Sequence, residues 1–494
     1  MYLQKYKNIN MKFVKIVTCT LGLSLALSSC KKLLEIKDTD SIAGEIALKT
    51  VTNNEQSIVG AYAILRPEMA ILLNSTFADE VKKGEFYNAE TTHEWQYGST
   101  DIGIRDNFTA ITPNYQIIDR VNRVLQALPN VTAANAAEEA KKSVLKGEAL
   151  FLRAYAHFEL FRYYCGNYTA EGLAMPYMEV PSLLTYERIK LAPYFAKINA
   201  DLEEAKGLIT NNLNDKNRAN RLSVVALQAR VALYTKNWAS AIALSTEYIT
   251  ALPLATKEQF PGIWSDANTS EVAFKLARTV SVGGRVGGLF RGQASVVGGV
   301  TKLGTITWAP SDKLWGSYDQ DNDIRFSTYL MDEPLLKAET PVRQSHIIKK
   351  YTGTAYTTNN ENLGDIKVFR TGEMVLIRAE AKAESNDLAG ATADINMLRS
   401  ARISNYTNVA DFASKDAAIT AILEERLKEL PFEGHRFWDL KRKEKAVERV
   451  GNDIPSSKGA TLPANNFRFV LPIPNSEILA NPKIREQQNP GYEG

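Results

Sequence analysis

Cysteine is scarce in this chain. Its 494 residues hold three, Cys19, Cys30 and Cys165, with none of the spacing of a zinc-type cluster. Histidine is almost as rare. His93, His157, His346 and His435 lie far apart, and no two sit at the helical spacing that sets a pair of metal ligands on one face. There is no Gly-x-Ser-x-Gly elbow. The glycines at 283–292 lack the Gly-Lys-Ser/Thr of a phosphate loop. Carboxylates are plentiful, so a glycosidase pair is open to the composition, but no two stand out. A charge of one sign is also missing. Fifty-nine Lys and Arg balance 56 Asp and Glu, for a net +3. Residues 1–29 carry Lys5, Lys7, Lys12 and Lys15 and no acid, so without them the balance is about −1. That excludes a general basic surface for nucleic acid. No apolar run reaches the roughly 20 residues of a membrane-crossing helix.

What is present begins at the N-terminus. Lys12 and Lys15 precede an uncharged apolar run at 16–27, and Leu27-Ser28-Ser29-Cys30 follows. Basic start, short apolar run and small residues make a secretory signal peptide, residues 1–29. A leucine three places before a cysteine resembles the bacterial lipobox. That resemblance implies cleavage before Cys30 and lipid on its sulfur and new amino group. A buried methylene contributes about 0.8 kcal/mol and a single chain holds only marginally, so several chains are needed for a lasting anchor. With Cys19 removed and Cys30 lipidated, Cys165 is left without an intramolecular disulfide partner. Stability then rests on ordinary burial, for which 45% hydrophobic residues suffice.

Apolar residues at intervals of three and four predict a mainly α fold. The helical scaffold is expected mainly over 44–72, 112–251 and 366–450, and Leu145, Ala149, Leu152, Ala156 and Leu160 show the spacing. Residues 226–247 and 376–397 repeat at an offset of 150. Ala229, Ala239, Ala241 and Ala243 correspond to Ala379, Ala389, Ala391 and Ala393. Each copy reads as a helix, a polar turn (235–237 and 385–387) and a second helix rich in alanine. Small residues let antiparallel helices approach closely, the logic of tetratricopeptide units. A generic helical hairpin is the plainer alternative. Residues 147–168 resemble a further first helix, with no evident partner nearby. Loop-rich parts with short strands are expected at about 73–111 and 255–365, where long irregular segments tend to carry function. An extended tail, 451–494, is expected from Pro472, Pro474, Pro482 and Pro490.

Residues 424–442 read Glu-Glu-Arg-Leu-Lys-Glu-Leu-Pro-Phe-Glu-Gly-His-Arg-Phe-Trp-Asp-Leu-Lys-Arg. This stretch resembles the near-terminal motif of the SusD/RagB family. Residues 471–482 and 488–492 resemble that family's tail, and 151–164 and 374–381 are similar to other segments of it, in family order. The resemblance implies one SusD-like domain over 30–494, built on tetratricopeptide-like helix pairs with an irregular ligand-binding half. It implies an outer-membrane, lipid-anchored protein at the cell surface. Such a protein binds a nutrient glycan, or in some members a peptide, and partners a TonB-dependent transporter of the SusC-like kind. It implies no bond-breaking, no catalytic residue, no metal and no cofactor. A helical-repeat adaptor between proteins is the other reading.

Within the motif, Glu429, Glu433, Arg436 and Asp439 are spaced to pair across neighbouring turns. Gly434 suits a left-handed helix end, Pro431 ends the first helix, and Phe437, Trp438 and Leu440 of a second helix point to the core. A sugar ring has an apolar face and a polar rim, so an exposed aromatic ring beside Asn, Asp or Arg suits it. Trp95, Tyr97 and Asp101 in the first irregular region meet that description, as do Phe290, Arg291 and Trp308 in the second. Each ring has a plainer use, packing its own loop. Trp238 and Trp438 fall on helix faces and read as core. By the resemblance, Trp315 and Tyr318 read as structural.

Overall fold

Short polar side chains start most of the long helices. A computed structural model describes residues 47–279, 286–353 and 361–493. The side chains of Asp106, Val286 and Leu289 lie outside that description, as do the signal peptide, Cys30 and the tether. Thr50–Gly494 forms one unit. Thr50 accepts the Asn53 N–H and opens α1 (Val51–Tyr62), which leads to α2 (Pro67–Phe77). After α3 (Ile111–Ala127), Asn135 caps α4 (Ala136–Tyr164). There follow α5 (Leu191–Leu208) and α6 (Arg221–Tyr234), the latter closed by an Asn220–Ser223 capping box. The frame continues as α7 (Trp238–Ala251), α8 (Thr371–Glu384), α9 (Leu388–Ser400), α10 (Lys415–Glu429) and α11 (Arg436–Arg442). These caps satisfy amides that a helix start leaves unpaired.

The two sequence repeats fold alike. In each, the residue at the turn centre takes a left-handed backbone, Lys236 at φ 59 and Asn386 at φ 65. The next residue caps the second helix, Asn237 onto Ser240 N and Asp387 onto Gly390 N. Its own N–H returns to a carbonyl of the first helix, Ala232 or Lys382. Ala379, Ala383, Ala391 and Ala418 are fully buried where α8, α9 and α10 meet, with Ile395, Leu398 and Ile422 filling the space between. The further first helix is α4. It packs along α5, which lies beyond the loop at 165–190 and so was out of reach of the local pattern. Trp438 is buried as expected, whereas Trp238 starts α7 and is only half-buried.

The loop-rich part carries short two-stranded antiparallel sheets. They pair β1 (Val81–Lys83) with β5 (Trp308–Pro310), β2 (Val272–Leu276) with β8 (Ile366–Arg370), and β3 (Ala294–Val297) with β4 (Val300–Leu303). They also pair β6 (Leu330–Asp332) with β7 (His346–Ile348), and β9 (Val447–Glu448) with β10 (Thr461–Leu462). Strand β8 runs straight into α8, which joins the loops to the repeats.

Of Glu429, Glu433, Arg436 and Asp439, only Asp439 pairs across a neighbouring turn, with Arg442. The partners come from far along the chain. Glu429 is fully buried and meets Arg370 at 2.5 Å, Arg402 at 3.0 Å and Arg325 at 3.2 Å. Glu433 meets Arg370 and Lys350 at 2.7 Å each, and Arg436 meets Asp79 at 2.7 Å. Burial alone would raise the Glu429 carboxyl, but the three guanidiniums hold it well below the usual carboxylate range. The end of α10 is served in the same way. A helix end leaves carbonyls unpaired. Here Tyr318 donates to Lys428 O (2.9 Å), Tyr329 to Glu429 O (3.1 Å), Lys350 to Pro431 O (2.8 Å) and Tyr351 to Phe432 O (3.0 Å). Gly434 has φ +81, and a Cβ there would lie 3.2 Å from Ala70 backbone and side chain. The glycine therefore lets α11 enter against α2.

Glu80, buried nearby, is less completely served. Ser75 Oγ and Phe432 N donate to its Oε2 at 2.7 and 3.1 Å, while Oε1 is buried without a hydrogen bond. Burial, helped by the neighbouring Asp79, raises its pKa to about 7. The folded chain then holds a proton that the unfolded chain, near 4.5, has released. Stability from this group falls as pH rises from 4.5 to 7, and the cost is complete above 7. Glu80→Gln is expected to be more stable than the parent at pH 8 by roughly 1–3 kcal/mol, at about 1.4 kcal/mol per pKa unit. The difference should shrink towards pH 5 in urea unfolding. An equal difference at both pH values would contradict the assignment.

Candidate functional site

The aromatic residues selected from sequence lie inside the protein, which corrects the expectation that their rings are exposed. Trp95 is 2% exposed. Its Nε1 donates to Phe77 O at 2.9 Å, and the Arg449 guanidinium lies 4.3 Å from its ring. Tyr97 is 1% exposed, donates to Arg468 O and stacks on Tyr492. Trp308 is 5% exposed and packs against His93, with ring centres 4.9 Å apart. Phe290 is buried against Phe432. Arg291 is buried and paired with Glu361 at 2.8 Å. Asp101 caps the short helix Ile102–Asn107 by accepting Ile104 N–H at 2.9 Å. Their ring faces and charges are thus already used by the protein.

Two of them nevertheless mark the place. Trp95 and Trp308 gather around the segment that carries His93, and outside them lies a more open layer. Tyr87 sits edge-on to both His93 and Trp308, and Phe86 beside it is exposed. Tyr87 donates to Glu94 at 3.1 Å. The β1–β5 ladder pairs Lys83 with Trp308 and Lys82 with Ala309. Alternation along the strand sends the two lysines opposite ways. Lys83 reaches Pro455 O at 3.3 Å, and Lys82 pairs with Asp312.

Asp312 opens the short helix Asp312–Trp315, which is fixed at its start by two side chains. Ser311 Oγ accepts Leu314 N–H at 3.1 Å. The Asp453 carboxylate accepts Asp312 N–H at 2.6 Å and Lys313 N–H at 3.1 Å. One turn on, the Trp315 indole lies flat on the His346 imidazole, with centres 3.6 Å apart and planes within 4°. Phe326 closes one edge at 4.9 Å. Both rings of the pair are partly exposed. His346 is held by the β6–β7 register, opposite Asp332. Burial, with the lysine charges of Lys82 and Lys337, draws its pKa down, against Asp332 and Asp312. The imidazole is therefore neutral at pH 7, with one ring nitrogen to donate and one to accept. Asn452 donates to Asp312 Oδ2 at 3.1 Å and completes a polar rim.

A flat aromatic pair with carboxylate, amide and ammonium groups around it can cover an apolar ring face and hydrogen-bond its edge. Sequence reasoning passed over Trp315, His346, Phe86 and Tyr87. Ser311-Asp312 before Trp315 was a readable helix start, but 31 residues separate the two stacked rings and no local pattern joins them. The other three histidines are buried. His157, for one, is stacked on Tyr177 and held by burial at a pKa of about 3.

Comparison with known proteins places this architecture. Residues 227–492 match the SusD family, and residues 34–233 match a family described as starch-binding associating with outer membrane. SusD-like protein P38 of Formosa agariphila is 23% identical across 99% of this chain and all of its own. SusD-like protein P2 of the same organism is 25% identical across 95% of this chain and 98% of its own. Among solved structures, a SusD superfamily protein from Bacteroides thetaiotaomicron superposes with a TM-score of 0.75 at 22% identity, covering 89% of this chain and 100% of that one. Surface glycan-binding protein A from Bacteroides fluxus does so with a TM-score of 0.70 at 21% identity, covering 89% and 99%. The family match spans more than half of the chain, and the helix-pair frame with its loop-rich half agrees with it: the chain belongs to the SusD family.

Proposed function

We propose that the protein is a cell-surface lipoprotein, anchored through Cys30, that binds a nutrient glycan and delivers it to a partner TonB-dependent outer-membrane transporter. The observation that carries the binding step is the half-open Trp315–His346 pair. A pyranose offers a flat C–H face to such a pair, and its hydroxyls meet Asp312, Asn452 and Lys82 at the rim. Glycan as ligand is supported by the names of relatives, one a surface glycan-binding protein and one family described as starch-binding. The lipobox-like 27–30 segment supports the anchor. The protein acts by capture, and the glycan leaves it unbroken.

The test is retardation of the protein in gels containing soluble polysaccharides, with release of sugars followed in parallel. Trp315→Ala removes a ring face of some tens of Å², which at about 25 cal/mol per Å² is a loss of roughly 1–2 kcal/mol, or about tenfold in affinity. His346→Ala should weaken binding less, and neither change should alter the unfolding midpoint by more than a few degrees. Retention of no glycan by the parent protein, unchanged retention by Trp315→Ala, or steady release of cleaved sugar would each overturn this reading.

A further inference from the structure

The hairpin β3–β4 is a finger that the proposed function leaves unused. Its root is firmly held. Ala294 and Leu303 sit in a buried cluster with Ile306, Leu336 and Ile347, and Gly304 N donates to Gln293 O at 2.9 Å. Beyond the root it stands in solvent. Val296, Val297 and Val300 are 58%, 62% and 56% exposed, and no residue from 295 to 300 is buried. Gly298 and Gly299 have φ of +59 and +82, so the turn is of the primed two-residue kind. That turn makes Val297 and Val300 the closing hydrogen-bonded pair.

Alternation then fixes which backbone groups face outward. Ser295 and Lys302 bond inward, while Ala294, Val296, Thr301 and Leu303 turn their N–H and C=O to the outer edges. The two root residues are already served. Ala294 N donates to Glu361 at 2.7 Å, and Leu303 O accepts from Arg343 at 2.8 Å. Arg343 is itself pinned by Glu85 at 2.6 Å. At Val296 and Thr301 the edge groups have no partner among the described residues. The finger is thus braced at its base and open along its tip. Its edges carry β-branched side chains, with no proline and, among the outward pairs, no charge. Proteins normally blunt an edge of this kind.

Resting on the transporter reading above, we infer that this finger is a docking element, onto which the partner protein adds an extended segment as a further strand. The edge itself names the occupant. Only an extended polypeptide offers N–H and C=O at strand spacing for Val296 and Thr301. Valines exposed on both faces of the hairpin ask for an enclosing protein groove, because burying them on one side alone leaves the other apolar face in water.

The experiment uses the full lipidated chain, purified in mild detergent from outer membranes that contain its TonB-dependent transporter. The readout is the amount of transporter that stays with it. V296T/V297T/V300T keeps β-branched shape and removes apolar contact, and Thr301→Pro removes the outward N–H without touching the hairpin's own ladder. Both are expected to lose transporter at least tenfold, with glycan retention and unfolding midpoint as in the parent. If both variants keep the transporter as the parent does, the docking assignment is wrong and the proposed function stands. If the parent itself retains no transporter, the proposed function fails and this inference with it. A dimer of the isolated protein, abolished by the same changes, would give the finger to a second copy instead.

Discussion

Glu429 accepts three guanidiniums in a site sealed from water, and the rest of the molecule is arranged around that fact. Arg370 comes from the end of β8, Arg402 from the turn after α9, and Arg325 from the short helix Ile324–Tyr329 in the loop-rich part. Glu271, Asp323, Glu425 and Glu433 take up further guanidinium N–H groups, and Ala255 O accepts from Arg402. Taking such charges out of water is expensive, and their mutual attraction offsets it only when the geometry and the hydrogen bonds are complete. The cluster therefore contributes specificity more than bulk stability. It forms fully only when strand, repeat turn and loop helix are all in place.

That requirement connects frame to function. The Tyr318, Tyr329 and Tyr351 hydroxyls and the Lys350 ammonium close the carbonyls at the end of α10. Each of these residues lies next in sequence or in register to the Trp315–His346 pair. Tyr318 follows Trp315 by three residues, and β7, which carries His346, leads to Lys350 and Tyr351. An aromatic pair built on loops is thereby given the precision of a helix end, the preorganisation that the proposed capture of a sugar ring needs.

Much of the frame was readable because its cause is local. The period of three and four, the polar turn at 235–237 and its copy at 385–387 depend on neighbours within one or two turns. The roles of Gly434, Pro431, Phe437 and Trp438 were readable for the same reason. The pairing of Glu429 was not, because its partners lie 27 to 104 residues away. The same distance hid the Trp315–His346 pair. Loop aromatics were a sound place to look, yet Trp95, Tyr97, Phe290 and Trp308 are the rings that fold inward to hold the loops. Composition cannot distinguish a ring that packs a loop from one that the packed loop displays. Trp315 was assigned to structure by resemblance, and it is left half-open.

The Glu429 cluster locks the loop-rich half onto the helical frame. Native-state hydrogen exchange of Glu429→Gln tests it most directly. Removing one partner of a buried charge group costs about 3–5 kcal/mol. Amides of Ile324–Tyr329 and of β7 are expected to lose protection by that order while those of α6 and α7 keep theirs. Protection in the loop-rich half equal to the parent's, or a loss shared evenly with α6 and α7, would contradict it.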